Sequence, residues 1–589
     1  MMFKSSIYLT AAFAGSALAT GNSSAYDYIV VGGGTAGLVI AGRLANNTDY
    51  TVLVIEAGPS VYDDPRVTAP DGFPAGTNLD WLYHTTAQEY TGTSGQVQYI
   101  SSGKALGGTS AINGMAYTRS SAAQIDAWEA LGNEGWNWET LYASTKIGET
   151  FHAPDPTQAS VGKVVYDADY HGFDGPLTTG WRSSSNKEGL LFPIFAKSFS
   201  ELGVETVPDV NGGAPMGFSN PPFTVNVDAN MRQDAARAYY WPVLQNKQNL
   251  KALVNTTVER ITWASGSTST TDVTASGVVV TLADGTMQSI NANREVIVSA
   301  GAVKSPALLE VSGVGNPDLL SSLGITPVVS LPGVGENLQE QTSTSLSFNI
   351  TTNITDSAYF FTWTSASQLG LGNLSAEVKA NLSSYASIQA KAYNYSVSAE
   401  ALEKIFAVQH DLIFNDKIPA GVMGSGTSGS DGSALATRAW SLSPFSRGSI
   451  HITSSSLNDV AINPRYFMLD VDVQMFAAAV RKVREVYGTE GLAGIVGAET
   501  SPGLDVVPSN DDWVEYLSST FNSNCHLVGT CAMLPKDLGG VVDSSAKVYG
   551  TTNLRVIDAS IIPFEPSGPP TATIYGVAEK LAAIMLAEL

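Results

Sequence analysis

Tyr28-Ile-Val-Val-Gly32-Gly-Gly34-Thr35-Ala36-Gly37 is the stretch that decides the fold of this chain. Its first four residues form an apolar run that reads as a buried parallel strand, and Leu38, Ala41 and Leu44 follow at helical spacing. Between them, Gly32 permits a tight turn, Gly34 lets a pyrophosphate approach the backbone, and Gly37 lets helix and strand pack closely. Thr35 and Ala36 open the helix, whose N-terminus faces the phosphates. A second strand, 51–55, ends at Glu56, 19 residues beyond Gly37, where an acid takes both ribose hydroxyls. The pattern predicts a Rossmann-like α/β dinucleotide-binding domain. Spacing alone leaves FAD and NAD both open.

Composition bounds the rest. With 589 residues, 44% hydrophobic and 14% charged, the chain has material for one or two packed cores, and wholesale disorder is excluded. Its net charge of −23 repels phosphates, which argues against nucleic acid and against stable contact with anionic membranes. Two cysteines, Cys525 and Cys531, build neither a disulfide framework nor a metal site, so no metal is expected. Residues 1–19 combine one early cation, Lys4, an apolar stretch and small residues at Ala17 and Ala19, the pattern of a signal peptide. Eight Asn-x-Ser/Thr sequons, at Asn22, Asn46, Asn255, Asn349, Asn353, Asn373, Asn381 and Asn394, then predict an N-glycosylated protein that is secreted or held in the secretory pathway.

Two longer motifs carry a family resemblance. Gly103-Lys-Ala-Leu-Gly107-Gly108-Thr109-Ser-Ala-Ile-Asn113-Gly114-Met115-Ala-Tyr117 and Gly301-Ala-Val-Lys-Ser-Pro-Ala-Leu-Leu-Glu-Val-Ser-Gly-Val-Gly315 both resemble signatures of the glucose-methanol-choline (GMC) oxidoreductases. The likeness runs from about Tyr26 to the C-terminus, through Val334-Gly-Glu-Asn-Leu-Gln339, Pro444-Phe-Ser-Arg-Gly448, His526-Leu-Val-Gly-Thr530 and Asp558-Ala559-Ser560. It is similar to secreted fungal glucose dehydrogenases, glucose oxidases and aryl-alcohol oxidases, and it implies FAD. The residues agree: Gly107 and Gly108 let backbone pass close to a flat ring, and Asn113 offers an amide that both donates and accepts. By the same resemblance Gly103, Thr109, Gly114, Met115, Asp558, Ala559, Pro570 and Thr571 line the cofactor. Family members with covalent FAD use a His just before the signature lysine; Ile100 stands there, so the FAD is expected to be noncovalent.

The resemblance also implies the chemistry, which is oxidation of a CH–OH group by hydride transfer to flavin N5, with a His taking the hydroxyl proton. His526 aligns with that base. The family's second catalytic residue, a His or Asn after the Asp558-Ala-Ser560 motif, falls on Pro569, which has no polar side-chain atom. Glu565 is the candidate substitute, weighed against the commoner state of a solvated loop carboxylate. Glucose-active relatives carry an Arg shortly before the base; here the position is Asn522, which points away from glucose and toward an aromatic or secondary-metabolite alcohol. Oxygen or a quinone-like molecule is the expected electron acceptor. The competing reading is a non-redox FAD-binding cyclase resembling versicolorin B synthase.

In domain terms, the GMC-like fold predicts an FAD-binding domain over 26–335 with substrate-domain insertions around 151–224. A discontinuous α+β substrate-binding domain follows over 336–539, and 540–589 returns to the FAD-binding domain. The stretch 357–416 reads as mainly helical, and Gly424 to Gly432 as a flexible loop. Thr573 to Leu589 reads as a closing helix with Ile574, Val577, Leu581 and Ile584 on its buried face.

Overall fold

The computed structural model describes residues 25–92, 95–160, 163–182, 189–265, 272–352, 354, 359–428 and 433–589. The expected signal peptide, the sequons at Asn22 and Asn353 and the end of the Gly/Ser segment, 429–432, lie outside them.

The chain is α/β and is organised around two sheets of seven strands each. In the first, Leu250–Leu253, Val52–Ile55, Ala25–Val31, Met287–Val298 and Leu554–Val556 run parallel in that order. Their central residues are sealed on both faces, which is why they are runs of Val, Ile and Leu rather than alternating patterns. The register levels the strand ends: Val31 pairs with both Ile55 and Val298, and Val298 with Val556. Gly32, Glu56, Ser299 and the turn before Asp558 therefore emerge along one edge, the carboxyl end where ligands bind in open parallel sheets. Ala275–Thr281 and Thr257–Trp263 extend the sheet antiparallel.

The second sheet is antiparallel and mixes distant segments, in the order Val496–Ser501, Thr342–Ile350, Ala434–Ser441, Gly421–Ser428, Tyr359–Thr364 and Gly217–Ser219. Asn522–Ser523 adds to the Thr342 end, which carries the chain directly into His526. Helix Val471–Tyr487 covers one face of this sheet; the hydroxyls of Thr437 and Tyr487 are 3.0 Å apart across the contact.

Three local expectations are corrected. Gly424–Ser428 belongs to a sheet strand, not a loop: the Tyr359 ring lies so close over Gly424 that a β-carbon there would sit 2.3 Å from its hydroxyl, so glycine is what lets the aromatic pack. The stretch read as helical from 357 begins with the strand Tyr359–Thr364 and turns helical only at Gly372–Ala392 and Ala399–Phe414. The closing helix, Thr571–Ala587, packs against helices Thr35–Asn47 and Trp138–Gly148 and is buried on more than one face. Ala578, Ala582 and Met585 are more deeply buried than Ile574 and Ile584.

Candidate active site

A cleft open to solvent runs along the carboxyl edge of the first sheet. Gly32, Gly34, Thr35, Ala36, Glu56, Gly103, Thr109, Asp558 and Ala559 line it, together with Gly108 and Gly301. Gly37 stands behind them, packed on the Gly32 carbonyl. The turn demands glycine at Gly32, whose φ is +105° and where a β-carbon would stand 2.3 Å from the Ser299 carbonyl oxygen. Gly108, at φ +53°, lies against Gly34, so these two motifs, distant in sequence, form one wall.

Charges in the cleft are placed for a dinucleotide. Glu56 is buried; its Oε2 accepts the Gly33 N–H at 2.9 Å and its Oε1 the Gly58 N–H at 2.8 Å. Burial, offset in part by these bonds, pushes it up to about 7. Each oxygen keeps a further acceptor direction for a ribose hydroxyl. Asp558 Oδ2 accepts the Gly301 N–H at 2.9 Å, tying the end of one strand to the helix that follows another. Two cations flank the lining residue Trp81: Lys104 Nζ is 4.5 Å and Lys304 Nζ 5.5 Å from its ring centroid. Lys304 donates to the Leu457 carbonyl, and neither lysine forms an ion pair among the described residues. Together with the uncapped N-terminus of helix Thr35–Asn47, they set positive charge opposite the Glu56 and Asp558 carboxyls. These residues fit the pyrophosphate and ribose of FAD. Trp81, Lys304, Leu457 and Asn458 were not singled out from sequence as cofactor residues; of these only Lys304 stood inside a recognised motif.

Gly34 separates folding from binding. A β-carbon there meets only Gly108 Cα, at 3.8 Å, yet projects where the cleft is lined. Gly34→Leu is expected to fold with a near-native melting temperature but to lose FAD affinity by at least roughly 100-fold, because the side chain displaces helix-terminus phosphate contacts. The flavin-to-protein absorbance ratio after gel filtration reads the loss.

Beyond Thr109 the same segment continues to the helix that starts at Thr571. Asn113 Oδ1 accepts from the Met115 N–H at 3.1 Å and from the buried Arg232 Nη1 at 2.8 Å, which turns Asn113 Nδ2 toward Thr571 Oγ1, 3.4 Å away. Gly114 is exposed, Met115 adopts φ +67°, and Pro570 caps the helix that starts at Thr571.

His526 is held by a short strip of sequence after the Gln339 motif. Its Nδ1 stands between two amides, 2.8 Å from Gln341 Oε1, an acceptor, and 3.0 Å from Asn524 Nδ2, a donor, so these contacts accommodate either tautomer. With the proton on Nδ1 toward Gln341, the lone pair lies on Nε2, which has no protein partner among the described residues. Burial first, and the Arg438 charge second, push His526 down to about 3, so the ring is a neutral base. Glu340 holds the loop: it accepts the N–H groups of Asn524 at 2.8 Å and His526 at 2.9 Å and the Ser523 hydroxyl at 3.1 Å. Burial raises Glu340 to about 8 despite these bonds. Sequence reading missed both Glu340 and Gln341, although the alternation that places them begins at Gln339.

Glu565 is not a solvated loop carboxylate. It is 0% exposed, both carboxyl oxygens are sealed without a partner, and burial with the neighbouring Glu340 drives it well above the usual carboxylate range. Its surroundings favour the protonated form, and none of it reaches the surface. Pro569 is half-buried, and beside it Gly568 packs near Trp363 Nε1 and Thr118 Oγ1. A guanidinium from another strand reaches the loop after Asn522: Arg438 Nη2 donates to the Ser523 carbonyl at 3.3 Å.

Comparison with known proteins agrees with this construction. Family models described as GMC oxidoreductase match residues 26–343 and 444–578. The chain is 41% identical to the glucose oxidase-like protein fsoC of Humicola fuscoatra, over 96% of each chain. Among solved structures it superposes on an FAD-dependent oxidoreductase from Chaetomium thermophilum with TM-score 0.86 and 26% identity, covering 96% of this chain and 99% of that one. A fungal aryl-alcohol oxidase gives TM-score 0.83 and 28% identity, with coverage of 96% and 99%. The chain belongs to the GMC oxidoreductase family, and its cofactor is FAD.

Proposed function

We propose that this protein oxidises the CH–OH group of a small alcohol other than glucose, with His526 as the base. The observation that carries the reading is that His526 Nε2 has no protein partner among the described residues: with an Nδ1 proton taken by Gln341 Oε1 at 2.8 Å, Nε2 is a free acceptor for a hydroxyl proton. FAD, when bound, supplies the two-electron acceptor. The chain's own work is to aim Nε2, to keep the imidazole neutral, and to hold the loop through Glu340. Oxygen or a quinone-like molecule completes the turnover. Exposed sequons at Asn46, Asn255, Asn349, Asn373 and Asn394 support secretion with N-glycans; no helix among the described residues is long and apolar enough to cross a membrane.

The FAD is held noncovalently on this reading, since Ile100 is buried in a short strand paired with Tyr83–His84 and has no nucleophilic atom. Acid precipitation is expected to release all flavin into the supernatant, and colour retained in the pellet contradicts it.

Anaerobic mixing with glucose and with benzyl alcohol tests the substrate class. Benzyl alcohol is expected to reduce the enzyme at least roughly tenfold more efficiently, the scale of one lost hydrogen bond to a polar substrate. Equal or better reduction by glucose overturns the exclusion. Pro569 favours one second reading, a ring closure by proton transfer alone, because it removes the polar group that would share the substrate oxygen with His526.

A further inference from the structure

The strand Ala434–Ser441 alternates in burial as far as Ala439. Leu435, Thr437 and Ala439 are buried on the side of helix Val471–Tyr487, and Arg438 and Trp440 project from the other face. That face turns toward the cofactor segment: Trp440, Phe361 and Trp363 form one buried cluster with Met115, and Tyr359, 40% exposed, extends the aromatic wall.

Arg438 is half-buried beside this wall. Its Nη2 donates to Ser343 Oγ at 2.7 Å and to the Ser523 carbonyl at 3.3 Å, which brings the guanidinium to the loop that carries His526. The rest of the fork is unsatisfied: Nε is sealed without a partner, Nη1 has no protein acceptor, and no carboxylate pairs with the side chain among the described residues. In a chain with net charge −23, an arginine without a carboxylate partner next to a neutral base is an open anion position. Nη1 is the end of the fork left for a ligand, and a charge-assisted bond from it to a carboxylate is stronger than one to a neutral acceptor.

We propose that Arg438 anchors the substrate and selects aromatic alcohols that carry a carboxylate on the ring, with the exposed Tyr359 ring, at the edge of the buried Trp440–Phe361 cluster, taking the substrate ring and Nη1 taking an anionic oxygen. The selection rests on the alcohol-oxidising reading above. The anion site itself does not.

Two measurements keep the two apart. Benzoate, which has no alcohol to oxidise, is titrated into the FAD-loaded enzyme by calorimetry, with benzamide as its neutral counterpart. Benzoate is expected to bind at least roughly tenfold more tightly than benzamide, and Arg438→Gln to weaken benzoate by roughly 10- to 100-fold, the scale of a lost charge-assisted hydrogen bond. Equal binding of the two ligands, or benzoate affinity unchanged in Arg438→Gln, overturns the proposal; the wild-type comparison alone decides if the variant does not fold. In parallel, 3- and 4-(hydroxymethyl)benzoate are compared with benzyl alcohol in anaerobic flavin reduction. Reduction at a lower concentration by one of the carboxylates supports the selection. Preference for the neutral alcohol overturns it. Failure of all three to reduce the flavin counts against the oxidoreductase reading and leaves the benzoate result to judge the anion site.

Discussion

His526→Ala is expected to lower the rate of flavin reduction by about 10²–10⁴-fold while the purified protein stays yellow. The side chain touches the cofactor cradle nowhere; its ring is fixed by Gln341 and its loop by Glu340, whose bonds to the backbone N–H groups of Asn524 and His526 survive the substitution. The loss is therefore one of proton acceptance rather than of architecture. Gln341→Leu is the milder companion: it keeps the imidazole but frees the Nδ1 proton, so part of the population adopts the wrong tautomer. Full activity in His526→Ala removes this residue from the chemistry. Loss of yellow colour shows instead that the loop supports FAD.

Glu149→Gln is expected to destabilise the protein by about 3–5 kcal/mol, the cost of breaking a buried ionic network by removing one partner. Glu149 is 0% exposed and accepts from Arg119 Nη2 at 2.7 Å, from Thr179 Oγ1 at 2.7 Å and from the His171 ring at 3.0 Å. The other ring nitrogen of His171 faces Asp209 Oδ2 at 2.9 Å, so the imidazole donates to a carboxylate on each side and is held charged. Arg119 lies just beyond the cofactor segment that ends at Tyr117, so the network braces the cleft from behind. Burial opposes both charges, but bonds to Asp209 and Glu149 outweigh it and raise His171, and Arg119 with His171 outweighs it and lowers Glu149. The signs define a window. The histidine contribution is complete below its ordinary value of 6.5 and fades as pH rises through its raised value; the glutamate contribution is complete above 4.5 and fades as pH falls through its lowered value. The difference in melting temperature between wild type and Glu149→Gln should therefore be greatest between pH 4.5 and 6.5. A difference that is flat from pH 4 to pH 10 contradicts the charged network.

What was legible in the sequence was local. The strand, turn and helix from Tyr28 to Leu44 announce themselves because each element needs its own residues: an apolar run, a glycine at positive φ, and helical spacing. Glu56 followed from the strand before it, and His526 from the residues after it. The misreadings share a cause, which is that tertiary surroundings decided the outcome. Glu565 looks like any loop acid until the strip Gln339–Gln341 and the segment 563–567 close over it; Gln339 Oε1 takes the Glu565 N–H at 3.1 Å and Gln341 Nε2 reaches the Pro566 carbonyl at 3.3 Å. Gly424 looks like a loop glycine until Tyr359 packs on it from the neighbouring strand. Arg438 sits in no motif at all. It meets the His526 loop only because Thr342–Ile350 pairs with Ala434–Ser441 along one edge and with Asn522–Ser523 along the other. Asn522 alone could not show that the sheet brings a guanidinium to this loop from 84 residues upstream.

The central claim is that a proton taken by His526 accompanies oxidation of an alcohol. It is tested most directly by anaerobic single turnover, counting aldehyde formed against flavin bleached when the FAD-loaded enzyme is mixed with benzyl alcohol and its ring-carboxylated analogues. One aldehyde per bleached flavin, lost in His526→Ala, is the predicted result; flavin that stays oxidised with every alcohol tried, while His526 is intact and FAD is bound, would contradict it.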